Sequence, residues 1–349
     1  MLITHFACLL SASVLAQSSD FGGDRRDVMP ATLVLHAAAW PQPEPTQAEK
    51  PAAPDRLDQI VGPSEPELMA SGLQFTEGPV WVPAKDGKPG YLLFSDIPAD
   101  TIYRLDPPKA GQTAKPEVFR SPSGKSNGLI LDREGRLVIC EHAGRVVRIE
   151  TNGDLTVLAE KWEDKRLNSP NDLCVGNDGS IFFTDPPYGL GGPLGFARES
   201  ETKIRGVYRI DPQGKLHLVV DDLETPNGIA LSPDNKTLYI GNHGKGVVWS
   251  YPVKADGTVG EGKVFAELKA GQRRAGADGV RTDRDGNVYI GAGRSGVHVL
   301  DPTGELIGII GLPRGATNLC FGGDDGRTLF VVAGDSVYRL RVKVPGAGM

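Results

Sequence analysis

Six polar residues stand at the head of six apolar runs: Glu77, Asn127, Asn171, Asn227, Asp278 and Asn318. By subtraction they lie 50, 44, 56, 51 and 40 residues apart. One glutamate, one aspartate and four asparagines make a set of hard oxygen donors, with no histidine or cysteine among them. Such a set suits a divalent cation of the calcium type, which takes many oxygen ligands in a flexible geometry. It disfavours the softer sites of zinc and copper. Two carboxylates neutralise the ion, and amide oxygens, water or substrate fill further positions. Asn-Gly and Asp-Gly are also hairpin dipeptides, and for any single position a turn would be explanation enough. It does not suffice for the set. The same register recurs six times, the Gly-rich turn lies at the other end of each run, and the first member is Glu77.

The elements that must position these residues repeat with them. Each unit has a polar anchor, an apolar strand, a turn rich in Asp, Asn and Gly, a second strand, a loop and a third strand. The openings read "EGPVWVPAKDGKPGYLLFSD", "NGLILDREGRLVICEH", "NDLCVGNDGSIFFTD", "NGIALSPDNKTLYIGN", "DGVRTDRDGNVYIGAG" and "NLCFGGDDGRTLFVVAG". The runs alternate or are β-branched and lack helical spacing. A period of 40 to 50 residues with about four strands per unit is the pattern of a β-propeller. The expectation is an all-β fold, a six-bladed β-propeller with a metal site in its central channel. The anchors open the innermost strands, so they share one end of the channel. The loops after the second strands return to that end, including "EHAG", "TDPPYG", "GNHGKG" and "GAGRSG". These loops make His142, Tyr188, His243 and Arg294 candidate residues of the mouth, with Asp185 as a further carboxylate there. Tyr188 is a candidate pocket wall, and the Gly-rich stretch after it is either a lid or a plain surface loop. Asp172, next to Asn171 but alternating to the other face of its strand, is expected to be structural.

The chain has 349 residues, 45 of them glycine and 27 proline, which suits many short strands joined by turns. The net charge of −6 and the lack of a basic patch argue against nucleic acid as a partner. Residues 1–16 read as a secretory signal, with a short apolar core over Leu9 to Leu15 and small residues for cleavage after Ala16, although no Lys or Arg precedes the core. That run is too short for a membrane span. The expected location is therefore periplasmic or secreted. Residues 17–66 are rich in Pro, Ala, Gln and Glu and read as a flexible linker, and 67–344 as the propeller domain. Cys140, Cys174 and Cys320 have no metal-type spacing and read as buried apolar residues. The sequence sets no oligomeric state.

The motifs "FTEGPVW", "SPNDL" followed by "FTDPPYGL", "TPNGIALSPD", "ADGVRTDRDGNVY" and "TNLCFGG" resemble the gluconolactonase, senescence-marker-protein (regucalcin) and luciferin-regenerating-enzyme family. The resemblance runs from about Glu67 to Val344. It implies a six-bladed propeller with a divalent metal, calcium in most members, with Mg²⁺, Mn²⁺ or Zn²⁺ as alternatives. By motif match the metal ligands fall on Glu77, Asn171, Asn227 and Asp278. Asn127 and Asn318 share the register and are expected, with His142, Tyr188 and Arg294, to face the substrate. The implied reaction is hydrolysis of a cyclic ester, probed on small-molecule sugar lactones such as gluconolactone, with Asp278 as the carboxylate that activates water. Two other outcomes stay open. One is a phosphotriesterase-like or arylesterase-like hydrolase on the same metal. The other is a non-catalytic propeller whose calcium is structural. Asn242, where many family members carry an acidic residue, bears on substrate identity.

Overall fold

A computed structural model of the chain describes residues 56–62 and 65–348. The expected signal segment and nearly all of the expected linker lie outside the described residues. Six four-stranded antiparallel sheets follow one another along the chain. Their inner strands are Thr76–Val82, Ser126–Leu131, Leu173–Val175, Pro226–Leu231, Val280–Thr282 and Ala316–Gly322. The fold is the six-bladed propeller. In blades 1 to 5 each strand pairs with the next in sequence. Blade 6 differs: its fourth strand is Glu67–Ser71, which pairs with Ser336–Arg341. The first strand of the domain thus closes the last blade, and sheet ladder hydrogen bonds tie the two ends of the chain together.

Six apolar clusters hold the fold, one between each pair of neighbouring blades. Between blades 1 and 2, Leu93 and Ile102 meet Leu129, Ile139 and Val147. At the closing seam Trp81 stacks on Phe330 with ring centroids 5.2 Å apart. Each fully buried side chain of this size contributes about 1.5–3 kcal/mol. The alternation that brought these residues to both faces of each sheet is what lets a blade pack on two neighbours at once. Cys140, Cys174 and Cys320 are buried free thiols within these clusters, as expected.

Two local devices aim the anchors. The register slips beside them in blades 1, 2, 4 and 6, between Glu77 and Val80, Ser126 and Leu129, Pro226 and Ile229, and Ala316 and Asn318. A bulge bends the strand and re-aims its side chains. In blades 3 and 5 the anchors precede the paired strand, yet Asn171 N donates to Thr184 O (2.8 Å) and Asp278 N to Gly291 O (2.9 Å). The second device is the glycine after the anchor. A Cβ on Gly78 would lie 1.9 Å from the carbonyl oxygen of Asn127, and one on Gly228 would lie 2.0 Å from that of Asp278. The Asn-Gly and Asp-Gly pairs here are not hairpin turns. Their glycines let one inner strand approach the next, which draws the anchors into a ring.

Residues 56–62 fall within the stretch expected to be linker, and they are packed. A 3₁₀ turn over Arg56–Gln59 leads Leu57, Ile60 and Val61 onto the cluster between blades 5 and 6. Lys343 N donates to Ile60 O at 2.7 Å.

Candidate active site

Five of the six anchors are buried, and Asp278 is half-buried, its side chain 16% exposed. Glu77 and Asp278 enter from blades 1 and 5, and the charge of Glu77 raises the pKa of Asp278. Burial pushes the Glu77 carboxyl up to about 7, with the charge of Asp172 adding to the effect. Burial, then Glu77, then Asp172 push Asp278 well above the usual carboxylate range, against the opposing effect of the Asn227 amide. Two carboxylates brought together out of water favour either a shared proton or a cation. Among the described residues no three His, Cys, Asp or Glu side chains gather into a metal-holding cluster. The oxygen groups at the ring are the Glu77 and Asp278 carboxylates and the anchor amides.

The amides divide into different duties. Asn318 Nδ2 donates to Glu77 Oε2 (3.1 Å), and its Oδ1 accepts from Leu319 N (2.8 Å). Its oxygen is committed within blade 6, so Asn318 supports Glu77 rather than facing substrate with a free acceptor. Asn127 is the opposite case. Its Nδ2 lies 3.1 Å from His142 Nε2, while its buried Oδ1 has no hydrogen-bond partner among the described residues. An orphaned buried oxygen beside two repelling carboxylates fits a site that receives a cation with its water, or a substrate hydroxyl.

Asp172 lies closer to the chemistry than its strand alternation suggested. It takes the place that glycine holds after the anchors in blades 1, 2, 4 and 5. Its carboxylate, fully buried, accepts from Arg281 Nη1 (2.9 Å) and Nη2 (3.1 Å), a two-pronged pair reaching from blade 5 to blade 3. Arg281 supplies a permanent positive charge below the ring and lowers the pKa of Glu77. It was not among the expected site residues. The only sequence signal was a charge in the middle of an otherwise apolar inner strand, "DGVRTD".

Around the mouth, the residues sort by what they touch. His243 Nε2 lies 3.9 Å from Asp278 Oδ2, and its ring meets that of Tyr188 edge-on at 6.1 Å. The buried Tyr188 hydroxyl lies beside the Thr225 and Asn227 side chains. Burial first, then the nearby charge of Asp278, raise its pKa, and those two side chains partly offset the rise. Tyr188 and His243 therefore wall the approach to Asp278. His142 is nearly inaccessible, 1% exposed, and does not line the mouth. Arg294 is exposed on the rim and, among the described residues, forms no hydrogen bond or ion pair.

Asp185 belongs to a recurring clasp. Asp96 Oδ1 and Oδ2 accept from Phe75 N and Gln74 N, and Asn242 Oδ1 accepts from Thr225 N. Asp185 Oδ2 accepts from Asn168 N (2.8 Å) in the same way. These residues lie at the end of the second strand of their blade and hold the segment that leads into that same blade's anchor. Asn242 thus keeps the job of its acidic counterparts while leaving out the charge. Burial pushes the pKa of Asp185 up to about 7, against the opposing effect of the Asn168 and Ser169 backbone N–H groups.

A propeller with buried carboxylates and amide oxygens at one channel mouth has the form of a hydrolase site. Residues 75–335 match the model of the SMP-30/Gluconolactonase/LRE-like region, and the chain belongs to that family. It is 35% identical to the gluconolactonase of Zymomonas mobilis over 315 residues, covering 83% of this chain and 85% of that protein. The solved structure of a gluconolactonase from Xanthomonas campestris superposes with a TM-score of 0.72 at 30% identity, over 82% of this chain and 92% of that one. The calcium-binding protein regucalcin of Agrobacterium tumefaciens shares the fold, with a TM-score of 0.66 at 20% identity, over 81% of this chain and 95% of that one.

Proposed function

We propose that this chain is a calcium-dependent lactonase that opens a sugar lactone, with gluconolactone as the first substrate to try. The observation that carries this is the Glu77–Asp278 carboxylate pair set among amide oxygens in the mouth of a gluconolactonase-family propeller. Glu77, Asn171, Asn227 and Asp278 would hold the cation. When bound, it supplies Lewis-acid polarisation of the ester carbonyl. The rest falls to the protein's own groups. Asp278 holds the attacking water and takes its proton. The water oxygen bonds to the carbonyl carbon, the ring ester bond breaks, and the proton passes to the departing ring oxygen, leaving the open hydroxy acid. Asn318 fixes the Glu77 carboxylate. Tyr188 and His243 confine the sugar ring over Asp278. The Asp172–Arg281 pair closes the channel beneath.

The test is lactone hydrolysis before and after chelation, with Ca²⁺, Mg²⁺, Mn²⁺ and Zn²⁺ added back singly and the metal content of the purified protein measured. A panel of aldonolactones, an aryl ester and an organophosphate sets the substrate class. Absence of lactone turnover with calcium present sinks the proposal. Export, read from residues 1–16, is part of the same proposal. It predicts a mature N-terminus at Gln17, to be read by mass spectrometry of protein from the native host.

A further inference from the structure

His142 sits behind the ring rather than in its mouth, and both its nitrogens are engaged. Nδ1 lies 2.6 Å from the carbonyl oxygen of Leu194, and Nε2 lies 3.1 Å from Asn127 Nδ2. A carbonyl oxygen only accepts, so Nδ1 must carry a hydrogen. Burial holds the pKa of the ring down, to about 4, so the ring is neutral and Nε2 is a bare lone pair. Only a donor can satisfy it. That donor is the NH₂ of Asn127, and the amide is thereby turned with its oxygen away from His142. This is the oxygen that is buried without a hydrogen-bond partner among the described residues.

The Leu194 carbonyl belongs to the long mouth loop between Asp185 and Gly206, and that loop is tied down beside His142. A Cβ on Gly189 would lie 2.5 Å from the His142 ring, so the loop packs directly on it. Gly189 N donates to Ser169 Oγ (2.9 Å) and Phe196 N to Gly189 O (2.9 Å). Lys125 Nζ donates to Pro193 O at 3.2 Å and to the carbonyls of Ile97 and Pro98, bridging the loop to blade 1. These contacts tie the loop, as an arch, to blades 1, 2 and 3.

We propose that His142 is a positioning residue: held by the Leu194 carbonyl of the arch, it orients the Asn127 amide so that a fixed acceptor oxygen faces the ring, where it receives a substrate hydroxyl or an ordered water. The role of that oxygen in substrate binding rests on the proposed lactonase function. The orientation itself does not. A carbonyl in the mouth loop thus selects one tautomer, the tautomer selects one amide orientation, and the amide presents an acceptor and no donor at that point of the site.

Long-range ¹H–¹⁵N spectra of the intact protein test the first step, with the His142 signals assigned by their loss in His142→Gln. The expected result is a neutral ring with hydrogen on Nδ1. An Nε2–H tautomer or a charged ring overturns the proposal, and this measurement needs no variant to be active. Kinetics test the second. His142→Leu removes the acceptor and frees the amide to turn, and should raise KM about tenfold with a smaller change in kcat. His142→Gln can accept from Asn127 through its carbonyl and donate to Leu194 through its amide, and should restore most of the loss. A folded His142→Leu with unchanged KM, or a His142→Gln no better than it, overturns the proposal. If the lactonase function itself is wrong, the wild type turns over no lactone while the tautomer result still stands. If this inference is wrong, turnover stands and the tautomer does not.

Discussion

The two ends of the propeller use the same residue types to opposite effect. At the turn end, aspartates close the hairpins by accepting from nearby donors. Asp301 takes Thr303 N, Thr303 Oγ1 and Glu305 N, and is held down to about 2, chiefly by the Thr303 hydroxyl. Asp325, paired with Arg341, is likewise pulled down to about 2. At the channel mouth, Glu77 and Asp278 have few donors, little water and other carboxylates nearby, and their pKa values rise. Turn carboxylates are satisfied by their own hairpins and stabilise the fold. Mouth carboxylates are met by few donors of their own chain. What separates structure from function here is not residue type but whether the local chain meets its needs.

The sharpest way to break this contrast is Asp278→Asn. If Asp278 is held for chemistry, the change should lower kcat about 10³-fold. It should not destabilise the metal-free protein, because it removes one of two repelling charges. Thermal unfolding in chelator should show an equal or higher Tm. A variant that keeps its activity, or that melts several degrees lower in chelator, would place Asp278 with the structural aspartates.

Asp172 is the exception at the mouth, since it has its own cation. Breaking a buried pair by removing one partner costs about 3–5 kcal/mol, because the other charge stays buried and unpaired. Arg281→Met should therefore cost that much in urea unfolding. Adding Asp172→Asn to it should recover most of the loss. If the double variant is no more stable than Arg281→Met alone, the pair is not the plug described.

Much of this contrast was legible in the sequence, and the reason is repetition. Six copies in register exposed the anchors, the blade count and the end of the channel they share. The committed amides were not legible. That Asn318 holds Glu77, that Arg281 reaches Asp172, and that His142 stands behind Asn127 instead of in the pocket are all contacts across blades or between strands, set by distance in space. The partners of Arg281 and Asn318 lie 109 and 241 residues away. Nor did the repeat pattern show that Glu67–Ser71 completes blade 6, because an outermost strand carries no anchor and its partner lies at the other end of the chain.

Acidity offers a gentler test, because the two ends should respond with opposite signs. Glu77 binds its proton more tightly folded than unfolded, its pKa rising from 4.5 to about 7. Its contribution is present below pH 4.5 and is lost as pH rises through about 7. Asp301, lowered from 3.8 to about 2, contributes above pH 3.8 and loses that contribution as pH falls through about 2. The metal-free protein should therefore lose stability on going from pH 4.5 to 7, and saturating calcium should flatten or reverse that slope. Tm measured across pH with chelator and with calcium decides it. A metal-free Tm that climbs steadily from pH 4.5 to 7 would contradict the raised carboxylates.

The smallest effect belongs to the turn end itself. Asp301→Ala removes an acceptor for two backbone N–H groups and one hydroxyl in the turn between the last two strands of blade 5, and also a partner of Arg56 at 2.6 Å. These donors are near water, which takes over part of the bonding, so the cost should be about 1 kcal/mol. Because Arg56 lies in the segment packed against blades 5 and 6, the loss should also show as faster hydrogen exchange around residues 56–62. Lactone turnover should not change. A fall in kcat would mean that the turn end communicates with the ring, and the division of labour between the two ends would have to be given up.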